Sequence, residues 1–308
     1  MPTPLRPLPD AIAAAPFSVQ RAVALGVASR RTRHPALARP AYGLRTPWDP
    51  RTLAEATSAL ALVLPDPWAW SHETAAELLG LPLPQRWIPG RPLTVMRPIA
   101  AGPVRRRGIR GHTGLDQRGT VTVRGMPVVS PPATWCDLAG LLPLDDLVIM
   151  GDVVVMRGDS PDDVRMGTTS LVRLEAEVMR RAGTKGVEQA RAAFAWVRVG
   201  SRSPMETRAR LCFIRAGIPE PELNGDIHDD GRWVATGDFL WRSARVVVEY
   251  QADQHRTDRR QWRSDLQRLG ILQDLGWRVI LMTGADLASP TARDAFTTRL
   301  ARAVESMT

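Results

Sequence analysis

Residues 246–260 read VVVEYQADQHRTDRR. Three valines run into Glu249, and Gln251, Asp253 and His255 follow at every second position. Side chains alternate faces along a strand, so Val247, Glu249 and Gln251 share one face and Val246, Val248 and Tyr250 the other. Glu249 and Gln251 then stand ~7 Å apart along the strand. Asp238, in GDFLW, lies on the preceding apolar stretch and faces Glu249 if the two segments form a hairpin. Two converging carboxylates make a hard, oxygen-rich site suited to Mg²⁺ or Mn²⁺. An ion held there polarises a phosphodiester oxygen and stabilises the leaving oxyanion. Glu206 would supply an outer ligand or hold a metal-bound water. His255 would take a proton from water or protonate the leaving group. The chemistry these residues suit is phosphodiester hydrolysis.

Each residue also has a plainer role. Ser203-Pro-Met-Glu206 is a capping box, in which Glu206 bonds back to the backbone N–H of the cap. Capping and metal support are compatible, and both stay open. Asp238 could serve a turn or pair with Arg242, and His255 could bond a local carbonyl. Glu249 is the firmest site residue, because a carboxylate beside a valine run is costly to bury without a partner or an ion. Asp253 and Asp258 read as loop and cap residues. Arg256, Arg259, Arg260 and Arg263 form a basic patch beside the site, either a solvated helix face or, as favoured here, phosphate contacts. Arg105, Arg106, Arg107 and Arg110 form a second cluster with the same two readings. His34, His72 and His112 have no ligand spacing.

The elements that must position the carboxylates are legible from periodicity. SRSPMETRARLCFIRAG is a helix with Ser203 as cap, Pro204 in its first turn and Gly217 as its stop. LNGDIHDDGRWVATGDFLW and ARVVVEYQ read as strands, the last two joined in an antiparallel hairpin around residues 242–244. Asp258 would cap a long helix, RRQWRSDLQRLGILQDL, that stops at Gly276. WRVILMT is expected to be another buried strand, and a final helix starts near Thr291. The order helix, three strands, helix, strand, helix implies a mixed α/β core. Upstream, Ser18 and Gly26 bracket a short helix, ALARPAYGLR suits a small wing, and RTLAEATSALALVL and SHETAAELLG are helical, the latter capped by Ser71. LTVMR, VRRRGIRGH and TVTVRGMPVVS read as strands. PPATWCDLAGLL, PLDDLVIMGDVVVMR, SLVRLEAEVMRRAG and GVEQARAAFAWVR read as helices.

The 308 residues suffice for two domains, and no run of ~18 apolar residues is present. The first residues lack the basic start and apolar run of a signal peptide, and Cys136 and Cys212 read as reduced core thiols, so a cytoplasmic protein is expected. The net charge is +9, carried by arginines except for Lys185. Nucleic acid is one reading of such an excess and codon bias is the other. Residues 201–308 hold 16 arginines against 15 carboxylates, so the surplus lies in residues 1–200. There is no Gly-rich phosphate loop and no G-x-S-x-G elbow.

SPMET with Glu206, GDFLW with Asp238, VVVEYQADQH, and the RSDLQRLGILQDLGWRVILMT tail resemble the PD-(D/E)XK nuclease superfamily. The branch they resemble is the very-short-patch-repair-like endonuclease fold, in the family called domain of unknown function 559. The resemblance covers residues 201–288. It implies a restriction-endonuclease-like mixed sheet flanked by helices, with Asp238 and Glu249 as metal ligands and Glu206, Gln251 and His255 as further catalytic residues. In that family the strand usually ends E-Y-D-G-D-x-H; here Gln251 replaces Asp and Ala252 replaces Gly. Across the superfamily the position of Gln251 is most often Lys. Gln orients water without contributing charge, and Ala252 resists a positive φ that Gly accepts.

PFSVQRAVALGVASRRTRH with YGLR, SHETAAELLGLPLP and VVSPPATWCDLAG resemble the AbiEi-type antitoxin region, whose first part is a DNA-binding winged helix. The expected organisation is residues 1–50 as a disordered start and a degenerate winged-helix-like segment, 51–165 as an α+β AbiEi-like region, 166–200 as a helical connector, and 201–308 as the endonuclease-like domain. The expected activity is Mg²⁺-dependent DNA hydrolysis, in phage defence or DNA repair. The alternative is an inactive nuclease fold serving as an antitoxin-like DNA-binding repressor. A third reading is a protein-binding partner from a toxin–antitoxin or defence locus.

Overall fold

A computed structural model describes residues 7–156, 169–251 and 270–306. The chain divides into two compact units. The first runs to Leu142 and takes in Arg173–Ala190; the second starts at Pro143 and takes in Arg191 onward. Both mix helices with mixed sheets, so the chain is α/β. Among the described residues no helix is long and apolar enough to cross a membrane.

In the first unit, strands β1 (Phe17–Ser18) and β2 (Leu44–Arg45) form a small antiparallel ribbon. Ser18 Oγ accepts the Arg21 N–H and caps the helix Val19–Ala24. Beyond it lie β3 (Ala69–Trp70), β4 (Leu93–Arg97), β5 (Ile109–Thr113), β6 (Thr120–Val123) and β7 (Met126–Val129), in the sheet order β5-β4-β3-β7-β6. Arg124 and Gly125, at φ +50° and +74°, make the tight turn of the β6–β7 hairpin. The reading of VRRRGIRGH as one strand is too long, because β5 starts only at Ile109. Arg106 lies before it, its Nη1 donating to the Tyr42 carbonyl at 2.9 Å. Ser71 does precede the helix His72–Leu78, but its hydroxyl bonds the His72 ring instead of capping the backbone.

The second unit follows the expected order. The helix Pro204–Arg215 leads into β8 (Glu222–Asp229), β9 (Arg232–Trp241) and β10 (Val246–Gln251), an antiparallel meander. Residues 270–274 are helical and Gly276 turns at φ +78°. Strand β11 (Arg278–Thr283) then pairs parallel to β10, and the helix Pro290–Glu305 follows. The sheet order is β11-β10-β9-β8. Val246 and Val248 pack with Phe213, Phe239, Ile280 and Leu300. Val247 packs on the other face with Leu240 and Leu272. The expected alternation along VVVEYQ is therefore present. WRVILMT is not a buried strand, however: among the described strands β11 is the sheet edge, and Leu281 is 46% exposed.

Candidate functional site

Glu249 is 4% exposed and follows three valines that are fully buried. Val246 pairs with Trp241, Val247 with Leu240 and Val248 with Phe239. The ladder ends there, with Glu249 and Asp238 the next residues on the two strands. Asp238 is half-buried, and its Oδ2 accepts the Tyr250 N–H at 2.7 Å. On the other side of β9, the pairs Leu223–Phe239 and Gly225–Gly237 flank Asn224 and Asp238. Asn224 and Asp238 therefore lie between paired residues of β8 and β9, next to the end of the β9–β10 ladder.

Glu206 is held by Asn224, whose Nδ2 donates to Glu206 Oε2 at 2.8 Å and to the Gly200 carbonyl. The same Glu206 oxygen accepts the Arg202 N–H at 2.8 Å, while the Glu206 N–H donates to Ser203 Oγ. The capping role is therefore realised, with the side chain reaching the N–H one residue earlier than a capping box would use. Gln251 is half-buried at the end of β10, across from Thr283 of β11. His255, Arg256, Arg259, Arg260 and Arg263 lie outside the described residues, as do Ala252, Asp253 and Asp258. Among the described residues no group of three or more His, Cys, Asp and Glu side chains is arranged to hold a metal.

No family model matches the chain. No solved structure matches it significantly. Two curated relatives do, uncharacterized protein MT2308 of Mycobacterium tuberculosis strain CDC 1551 and uncharacterized protein Rv2248 of strain H37Rv. Each is 30% identical over 120 residues, 39% of this chain. The matched stretch spans 44% of each relative, less than half its length.

Two charged clusters escaped the sequence reading. In the second unit, Arg210 and Asp152 are both buried, with Nη2–Oδ2 at 2.8 Å. Asp152 also accepts from Thr207 Oγ1 and the Arg198 N–H. Burial pushes its carboxyl above the usual range, against the pull of the Arg210 charge. The signal for it was a lone carboxylate inside the apolar run VIMGDVVV, which demands a buried partner. In the first unit, Asp137 takes Arg118 and Arg181, and Arg181 also binds Glu177. Burial alone would raise the Asp137 carboxyl, but the Arg118 hydrogen bond and both guanidinium charges hold it below its ordinary value. Close to this cluster, the His72 and His112 rings stack at 3.8 Å. Burial, then the His112 ring, pulls the His72 imidazole down to about 4. Neither cysteine forms a disulfide, and burial pushes the Cys136 thiol up to about 12, as suits an inert core thiol.

Proposed function

We propose that residues 201–308 act as a divergent metal-dependent DNA endonuclease, with Asp238 and Glu249 as the protein ligands of Mg²⁺ or Mn²⁺. The observation that carries this reading is the Asp238 bond to the Tyr250 N–H, which holds one carboxylate at the end of the β9–β10 ladder beside buried Glu249. If the β9–β10 register runs one step further, the two Cβ atoms stand ~5 Å apart, close enough for one ion to span two carboxylates. Two carboxylates fit Mg²⁺, which keeps several waters and takes substrate phosphate oxygens for the rest. They do not fit a closed four-ligand zinc site. When bound, the ion supplies charge neutralisation at the scissile phosphate.

The chain's own groups supply the rest. Gln251 is on the Glu249 face and orients water through its amide. His255 moves the proton, and Arg256, Arg259, Arg260 and Arg263 contact flanking phosphates, which makes binding fall steeply with salt. Glu206 supports the site through its bond from Asn224. The meander β8–β10 with β11 parallel to β10 supports the restriction-endonuclease-like reading of the sheet.

One observation favours the non-catalytic alternative, a DNA-binding regulator with a protein partner from a defence or toxin–antitoxin locus. Glu206 Oε2 already takes two donors, and Asp238 Oδ2 takes the Tyr250 amide. These oxygens serve the fold as they stand. The test incubates the full chain with plasmid, single-stranded DNA and mismatched duplex in EDTA, Mg²⁺ or Mn²⁺, beside Glu249→Ala. Metal-dependent cutting lost in the variant supports the nuclease. Cutting absent with every metal sinks it, and salt-sensitive DNA binding that survives Glu249→Ala then supports the regulator.

A further inference from the structure

Five arginines of the N-terminal half converge on one cleft. A cleft of about 820 Å³ in the first unit is lined by Arg33, Arg39, Arg45, Arg106 and Arg107, with no Asp or Glu on its walls. None of these five guanidinium groups pairs with a carboxylate among the described residues. Their bonds run to backbone carbonyls instead. Arg39 donates to the Arg33 carbonyl and Arg45 to those of Thr32 and Leu44, while Arg106 holds Tyr42. A carbonyl fixes the direction of a guanidinium without neutralising it. The mutual repulsion is felt at Arg45, whose pKa is lowered by burial first and by Arg39 and Arg33 after it.

The same cleft has an apolar side. Tyr42 lines it while 87% exposed, and Leu62 and Val63 lie along it. An exposed aromatic ring beside convergent guanidinium groups suits a ligand with an aromatic base and a compact polyanion. The volume is that of a small-molecule site. The neighbouring helices argue against a duplex: Val19–Ala24 has six residues and Ser29–Thr32 four, whereas major-groove reading lays a longer helix along the bases.

We propose that this cleft binds a nucleoside di- or triphosphate. The arginines take the phosphates in bidentate fashion and Tyr42 stacks on the base. The site is independent of the carboxylates of the other unit.

The test is calorimetric titration of the full chain with ATP and GTP in EDTA at physiological ionic strength, so that no divalent ion contributes. Inorganic triphosphate and a 20-base-pair duplex are run in parallel. Arg33→Gln and Arg107→Gln are the variants of choice, because neither side chain makes a bond within the described residues. The expected result is one nucleotide per chain, weakened about tenfold or more by each variant. Tyr42→Ala weakens the nucleotide about threefold or more and leaves inorganic triphosphate unchanged. Three results overturn the proposal: no nucleotide binding, equal binding in the arginine variants, or displacement of the nucleotide by a duplex that binds more tightly through the same arginines.

Discussion

The Asp238 carboxylate accepts the backbone N–H of Tyr250, the residue after Glu249, at 2.7 Å. The bond stands where the β9–β10 ladder ends, so Asp238 takes over from the backbone as acceptor. This separates two roles of one side chain. Asp238→Ala leaves a sequestered amide without its acceptor and is expected to cost about 1–3 kcal/mol in urea unfolding. Asp238→Asn keeps an acceptor oxygen and is expected to cost less than about 1 kcal/mol. If the carboxylate also binds an ion, Asp238→Asn abolishes metal-dependent cleavage while remaining folded. An Asn variant that cuts like the wild type assigns Asp238 to the fold alone.

Gly237 precedes this carboxylate for a steric reason. A Cβ there would lie 2.5 Å from Val247 Cγ2 and 2.9 Å from Leu240 Cδ1, both in the core under the sheet. Gly237→Ala therefore overpacks the face that carries Glu249 and is expected to cost about 1–3 kcal/mol. Chemical denaturation measures it, and a neutral result would mean that Val247 can move aside.

Much of this arrangement is legible in the sequence because it is local. VVVEYQ alternates, the hairpin joins its two strands within a few residues, and Ser203 and Ser18 cap the helices they precede. The misses are long-range. An apolar run such as WRVILMT looks the same in a buried strand and at an edge, and only the sheet order reveals that Leu281 faces outward. Arg210 and Asp152 lie 58 residues apart, and His72 meets His112 only after β4 and β5 have paired in parallel. No spacing rule reaches that far. The Asn224 bond to Glu206 depends on a residue at φ +47°, which asparagine tolerates better than most residues do.

The His72 pair gives the first unit an acid-sensitive stability. In the unfolded chain this imidazole protonates near 6.5; in the fold, burial first and the His112 ring second lower that to about 4. Asp137 opposes the drop, while Arg118 and Arg181 reinforce it. Between these values the unfolded chain binds more protons, so stability rises with pH. The contribution is fully present above 6.5 and is lost as pH falls toward 4, by about 3 kcal/mol at most. Asp137 acts lower, its contribution fading only as pH drops below the ordinary carboxylate range. His72→Asn tolerates the φ of +47° and removes the titration. Urea unfolding from pH 7 to pH 4.5 is expected to show a flatter profile for the variant. Parallel profiles would refute the assignment to His72.

Arg210 and Asp152 test a different balance. Both are buried, and Arg210→Ala strands the carboxylate, at an expected cost of about 3–5 kcal/mol. The pair Arg210→Met with Asp152→Asn removes both charges, keeps an amide oxygen for the Arg198 N–H and turns the amide N–H toward Thr207 Oγ1 as acceptor. It is expected to be clearly more stable than Arg210→Ala in the same denaturation assay. A double variant no better than the single one would show that the ion pair itself stabilises this unit.

Gln251 is the position where a gain of function separates the nuclease from the regulator. It ends β10 on the face of Glu249, half-buried and across from Thr283. An amide there can hold a water but cannot offset charge that builds on a phosphate oxygen. Gln251→Lys adds that charge two residues from Glu249, where a flexible four-carbon stem can follow the reacting group. Electrostatic stabilisation of this kind is the largest single contribution in many active sites, and each tenfold in rate corresponds to about 1.4 kcal/mol. If Asp238 and Glu249 hold an ion, Gln251→Lys is expected to raise Mg²⁺-dependent plasmid cleavage by about tenfold or more. The gain must vanish in EDTA and in the double variant with Glu249→Ala. A Lys variant that binds DNA more tightly through its added charge, yet cuts nothing, would place this sheet with the non-catalytic regulators.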